Sequence, residues 1–136
     1  MGQNSKAIEE LYAAFGRGDV PFVVAALDPQ IQWWEAENFI YADKNPYVGV
    51  DEVLNGVFGR LATEWDGFSA VPNEIVDGGE TVVAFGRYGG VYKATGAKVN
   101  AQFVHVFYFK NGKISRFQQY TDTAQFKDAV ARRAGA

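Results

Sequence analysis

The chain has 136 residues and a formal charge of -3, with Lys and Arg scattered along it. Such a length encloses one domain with a sizeable core, and the charge leaves no footprint for a phosphate backbone or an anionic lipid surface, so neither nucleic acid nor membrane is expected as a partner. The absence of cysteine excludes disulfides, thiolate metal sites and a cysteine nucleophile and fits a cytoplasmic setting, while Met1 to Lys6 carries neither the apolar stretch of a signal peptide nor the Ser or Thr of a myristoylation signal.

Ile8, Leu11, Tyr12 and Phe15 form a one-faced helical stripe behind the candidate caps Asn4 and Ser5, and Gly16-Arg17-Gly18 ends that helix. Asp19 and Pro21 start a second helix with Val20, Val23, Val24 and Leu27 on one side, which Asp28-Pro29 stops. Ile31 to Glu37 reads as a short strand, rich in bulky residues. Asn38 to Val50 lacks a clear period and reads as a loop able to fold over a cavity mouth. Asp51 caps a third helix striped by Leu54, Val57, Phe58, Leu61 and Trp65, with its exit at Asp66-Gly67.

The period then changes from helical to alternating. Four strand-like runs, Phe68 to Val76, Thr81 to Tyr92, Lys98 to Lys110 and Lys113 to Thr121, are joined by turns at Asp77-Gly78-Gly79, Thr95-Gly96 and Asn111-Gly112. Tight turns force antiparallel pairing, so this half is a meander. Gly86, Gly89 and Gly90 point to bulges or bends that curve the sheet and open a concave side. Asp122 caps a last helix from Thr123 to about Arg133. No repeat or linker interrupts the chain, so 1–136 is expected to be one α+β domain. Its eleven Phe, seven Tyr and three Trp exceed what a minimal core needs and suggest the walls of a pocket for a small apolar molecule.

Helices with an early strand followed by a four-strand meander resemble the nuclear transport factor two-like fold, and within it the SnoaL-like branch. The residues carrying this are Leu11 to Phe15 before Gly18-Asp19, Trp33 near the end of the first strand, Gly86-Arg87-Tyr88 before Thr95-Gly96, and Gln102 to Phe107 before Asn111 to Ile114. The resemblance implies a cone-shaped fold in which a curved antiparallel sheet packs against three to four helices around a pocket. Relatives include polyketide cyclases, ketosteroid isomerases, epoxide hydrolases, dehydratases and non-catalytic modules, so the fold alone does not carry a reaction. Alignment with ketosteroid isomerases places His105 where they hold a protonated aspartic acid, and makes Glu35 the carboxylate nearest to their base. SnoaL-type cyclases have an acid-base aspartate where this chain has Gln119. The two-aspartate-and-arginine pattern of the epoxide hydrolases is not visible, although Arg87 and Asp122 lie in the right region.

His105 alternates in phase with Phe103, Phe107 and Phe109, which puts it on the pocket side. There it either donates to an enolate oxygen or serves structurally, bonded to a backbone carbonyl. A carboxyl at Glu35, held against Trp33 or Trp34, loses hydration and gains basicity, although Glu37 is in phase with it. Gln119 shares the face of His105 if the Asn111-Gly112 connection has an odd number of residues; with a two-residue turn Gln118 replaces it. Tyr12, Trp33, Trp65, Phe103 and Phe107 are expected around the ligand, with Tyr41, Tyr47 and Trp65 at the mouth. Asp122 reads as a helix cap rather than an acid. One His, no Cys and no phosphate-binding glycine loop give no expectation of a metal or cofactor. The outer sheet face, with Val104, Val106, Tyr108, Arg116, Gln118 and Tyr120, suits a homodimer.

These readings converge on proton-transfer chemistry of the isomerase, cyclase or dehydratase kind, with Glu35 moving the proton and His105 stabilising the oxyanion. The alternatives are a non-catalytic module that holds an apolar ligand, and a dimeric association domain.

Overall fold

The computed structural model describes residues 2–132. Helix α1 (Gln3–Gly16) buries Ile8, Leu11 and Tyr12, as the stripe requires. It begins before the expected caps: Gly2 occupies the cap position, and Ser5 Oγ in the first turn donates to the Gly2 carbonyl at 2.9 Å. Helix α2 (Val20–Ala26) is capped by Asp19, whose Oδ1 accepts from the Phe22 N–H at 3.2 Å.

Strand β1 (Leu27–Trp34) follows at once, so it starts before Ile31 and leaves Glu35 to Glu37 beyond its end. Asp28-Pro29 lies inside the strand. A register shift between Leu27 and Gln32 spares the proline from donating to the ladder there. A 3-10 turn (Ala42–Lys44) and the two-residue strand β2 (Tyr47–Val48) occupy the expected loop, and β2 pairs antiparallel with β1.

Helices α3 (Val50–Val53) and α4 (Gly59–Glu64) run into each other through a π-helical turn (Leu54–Phe58). Gly49, not Asp51, takes the cap position, and the first-turn acids Asp51 and Glu52 suit the positive end of the helix. Trp65 does not end this helix as its spacing suggested. It opens strand β3 (Trp65–Gly78), where its ring is 97% shielded and its Nε1 donates to the Tyr41 hydroxyl at 3.0 Å.

Strands β4 (Thr81–Tyr92), β5 (Lys98–Lys110) and β6 (Lys113–Thr121) complete the meander with the expected bounds. One six-stranded sheet results, in the order β2-β1-β6-β5-β4-β3, antiparallel except where β1 lies parallel to β6. The expected bulges exist, but the extra residues belong to β3, between Asp66 and Ser69 and between Pro72 and Glu74, opposite the β4 glycines. Gly86 is needed at the second bulge, since a Cβ there would meet the Val71 carbonyl oxygen at 2.3 Å and Pro72 Cα at 2.8 Å.

Helix α5 (Thr123–Ala131) sets Phe126 against Phe39, Trp65 and Tyr88. Asp122 holds its cap position, yet its carboxylate accepts from Gln125 Nε2 rather than from the backbone. The expected end near Arg133 lies outside the described residues, as does Met1. None of the helices among the described residues is long and apolar enough to cross a membrane.

Candidate active site

The concave face of the sheet and the helices enclose a cavity of about 70 Å³. Its wall is mainly aromatic and aliphatic, and its polar members are Tyr12, Glu35, Tyr88, His105 and Gln119. An outer recess of about 260 Å³ shares Phe15, Val23, Phe58, Leu61 and Phe68 with it. The narrow inner cavity and the wider recess are therefore neighbours, with these five side chains between them.

Each polar side chain reaches the cavity for a local reason. Tyr12 stands on the buried stripe of α1. In β5 the alternation that buries Phe103 and Phe107 also buries His105, and in β4 it buries Val82, Ala84 and Tyr88. Glu35 continues the inward phase of Ile31 and Trp33 one step past β1 and is 2% exposed, whereas Glu37 is exposed. Asn45 fixes the turn at this point: its Oδ1 accepts from the Glu35 N–H and its Nδ2 donates to the Glu35 carbonyl, both at 2.8 Å.

The β5–β6 register pairs His105 with Gln119 directly. The connecting turn contains only Asn111 and Gly112, the case expected to bring Gln118 inward. A bulge at Ser115 reverses the parity, because Phe109 pairs with Ile114 but Tyr108 pairs with Arg116. Ser115 Oγ donates to the Tyr108 carbonyl at 3.1 Å and occupies an acceptor at this irregularity. Gln119 is thus buried and Gln118 lies on the outer face.

A continuous hydrogen-bond chain crosses the site. The Ala36 N–H donates to Gln119 Oε1 at 3.0 Å, which orients the amide so that its Nε2 donates to the Tyr88 hydroxyl at 2.9 Å. Tyr88 bonds His105 Nε2 at 2.5 Å, and Tyr12 bonds His105 Nδ1 at 2.6 Å. A neutral imidazole and two phenols bring three hydrogens to these two links. One hydroxyl hydrogen is left over. It resides on Tyr12 when His105 is protonated at Nδ1, and on Tyr88 when it is protonated at Nε2, so in either tautomer one of these two cavity-lining hydroxyls keeps a hydrogen that His105 does not use.

Burial sets the protonation states. His105 falls from 6.5 to about 3, so the ring is neutral at physiological pH. Burial raises the Tyr12 hydroxyl well above 10.0, helped by Tyr88, and raises Tyr88 as well, helped by Glu35 and opposed by the bond from Gln119. Glu35 rises from 4.5 to about 8, again through burial, with the Trp33 indole N–H and the distant Arg60 pulling the other way. That indole N–H lies near enough to act on the carboxyl but makes no hydrogen bond. Among the described residues nothing bonds the Glu35 carboxyl oxygens, and no lysine or arginine lines the cavity. The site is electrically neutral below about pH 8.

Of the expected ligand residues, Tyr12, Trp33, Phe107 and Gln119 line the inner cavity with Glu35 and His105. Phe103 lies behind His105, stacked on its ring at 4.0 Å, and Trp65 lines the outer recess. Tyr41 and Tyr47 line neither; they are buried at the end of the cone with Glu64, Arg60 and Asp43. Tyr88 was missed as a site residue, although its inward phase with Val82 and Ala84 was available in the sequence. No cluster of three His, Asp or Glu side chains suited to a metal forms among the described residues.

Residues 8–117 match the SnoaL-like domain family. Among solved structures, a nuclear transport factor two-like protein from Burkholderia thailandensis E264 is 35% identical over 96% of this chain and 98% of its own, with a TM-score of 0.89. One of unknown function from Burkholderia pseudomallei K96243 is 30% identical over 96% and 98%, with a TM-score of 0.86. TerC, crystallised with polyporic acid, shares the fold at 23% identity over 96% and 99%, with a TM-score of 0.83. No curated protein matches in sequence. The family match spans most of the chain, and the protein belongs to the SnoaL-like domain family.

Proposed function

We propose that this protein is a cofactor-independent proton-transfer enzyme acting on a small, uncharged, largely apolar carbonyl compound. One observation carries the proposal: a buried carboxyl at Glu35, bonded to no group among the described residues, lines the same cavity as a tyrosine–histidine–tyrosine chain with one unspent hydroxyl donor. Ionised Glu35 takes a proton from the carbon next to the ligand carbonyl. The C–H electron pair becomes the C=C bond, and the carbonyl π pair moves to oxygen. The spare hydroxyl of Tyr12 or Tyr88 donates a hydrogen bond to that oxygen, and the tautomer of His105 decides which of the two hydroxyls is spare. In a β,γ-unsaturated ketone the enolate is conjugated to the γ-carbon, and returning the proton there shifts the C=C bond into conjugation with the carbonyl and isomerises the ligand.

A residue of pKa about 8 is mostly protonated at neutral pH, so the base form grows, and the rate with it, as the pH rises through that value. The test is exchange of ligand α-protons with deuterated solvent, followed by NMR on a panel of small cyclic and aryl ketones. Wild type is expected to exchange them with a rate rising through about pH 8, and Glu35→Gln to bind but not exchange. Equal exchange by both proteins would remove Glu35 from the mechanism.

Gln119 favours a second reading, a non-catalytic binding module. Its amide is held at both ends, by Ala36 and Tyr88, and transfers no proton where SnoaL-type cyclases have an acid. Ketones that bind without any exchange in wild type would establish that reading. We further propose self-association through the outer sheet face, where Val104–Tyr120, Val106–Gln118 and Tyr108–Arg116 form three cross-strand pairs and Tyr120 is 56% exposed.

A further inference from the structure

Among the described residues no group accepts a well-aligned hydrogen bond from the Trp33 indole N–H, although the Glu35 carboxyl lies close enough for that N–H to pull its pKa down. The Trp33 Nε1 is fully buried, and its ring lines the inner cavity, stacked on Phe117 at 3.8 Å and edge-on to Phe58 at 5.4 Å. A buried donor without a partner is destabilising, and such atoms in folded proteins call for a reason. Trp34 Nε1 is also unpaired, but that ring does not line the cavity and has the Arg116 guanidinium 5.7 Å from its centroid. Of these two rings, that of Trp33 is the one that lines the cavity, with its Nε1 buried just behind the wall.

The unspent groups around the cavity define a complement. Trp33 offers a donor alone, and the neighbouring Glu35 carboxyl, when protonated, offers both a donor and an acceptor. The tyrosine–histidine chain adds one hydroxyl donor. An oxygen that accepts from the Trp33 N–H and at the same time donates to Glu35 must be a hydroxyl; a carbonyl oxygen satisfies the first bond and leaves the Glu35 acceptor unused. The tyrosine donor then suits a separate carbonyl. No lysine or arginine among the described residues lines the cavity to favour an ionised ligand, and about 70 Å³ is less than one aromatic ring fills, so a ring-sized ligand must extend toward the outer recess or displace side chains.

We propose that the Trp33 indole N–H and the Glu35 carboxyl together bind a ligand hydroxyl, so that the pocket selects small uncharged phenols or enols that also carry a ketone over ketones lacking the hydroxyl. This rests on the reading above that Glu35 faces the ligand. Calorimetric titration at mildly acidic pH, where phenol and carboxyl both keep their protons, tests it with 2-, 3- and 4-hydroxyacetophenone, their methyl ethers and acetophenone. The best hydroxy isomer is expected to bind about tenfold tighter than its ether or acetophenone. Trp33→Phe, which keeps a ring against Phe117, should narrow that preference, taken as the ratio of the two affinities in the same protein, to about twofold. In wild type, independently of any variant, the Trp33 indole N–H resonance should move downfield on binding the hydroxy ligand. Equal binding of hydroxy compound and ether, a preference undiminished in folded Trp33→Phe, or an unmoved indole resonance would each overturn the proposal while leaving the pocket reading intact. Failure of every ketone to bind would remove both.

Discussion

Replacing Glu35 with Gln is expected to reshape the dependence of stability on pH, because the folded chain holds the Glu35 proton more tightly than the unfolded chain does. Its value is about 8 folded against an ordinary 4.5. A group raised on folding contributes stability that is complete below the lower value and lost as the pH climbs through the higher one. Each pH unit across that interval costs about 1.4 kcal/mol, about 5 kcal/mol in all, an upper bound because water entering the cavity would reduce it. His105 has the opposite sign. Its folded value of about 3 lies below its ordinary 6.5, so its contribution is complete above 6.5 and is lost as the pH falls toward 3. Between 4.5 and 6.5 the two slopes cancel, which predicts a plateau there and a falling limb on either side. Urea denaturation of wild type and Glu35→Gln across this range measures both limbs. The variant should lose the alkaline limb, and its acid limb should begin at 6.5 rather than 4.5, since nothing then offsets His105. Parallel curves for the two proteins above pH 6.5 would refute the burial account.

Tyr88→Phe removes the partner of both Gln119 Nε2 and His105 Nε2, and should lower stability by about 1–3 kcal/mol in chemical denaturation. Gly86→Ala drives a methyl group into the Val71 carbonyl and Pro72 at the β3 bulge; a loss of about 2–4 kcal/mol is expected from thermal unfolding, and a neutral result would mean that the bulge is free to shift. Self-association should appear in analytical ultracentrifugation as a 30 kDa species, twice the 15.0 kDa chain, that Tyr120→Glu dissociates; only the chain mass at micromolar concentration would exclude the outer-face dimer.

The meander was legible in the sequence because turn glycines and period-two alternation are local signals, and β4, β5 and β6 have the bounds those signals set. Trp65 misled because a helical stripe and the first inward residue of a following strand look alike at that spacing. Gln119 depended on a non-local fact: the two-residue turn favoured Gln118, and only the Ser115 bulge, which has no sequence mark beyond a short hydroxyl residue, restores Gln119. Glu35 could be separated from Glu37 only when the chain was seen to leave β1 at Trp34 and be clamped by Asn45. The bonds from Tyr12 and Tyr88 to His105 join three elements far apart in sequence, and no local pattern encodes them.

Carbon-13 labelling of the glutamate side chains, with Glu35→Gln identifying its resonance, gives the most direct measurement of the chemistry assigned to the pocket. The Glu35 δ-carboxyl is expected to remain an uncharged acid at neutral pH and to titrate near 8. Titration at the ordinary 4.5 would place a charged, hydrated carboxylate in the cavity and contradict a dry, neutral site with a basic Glu35.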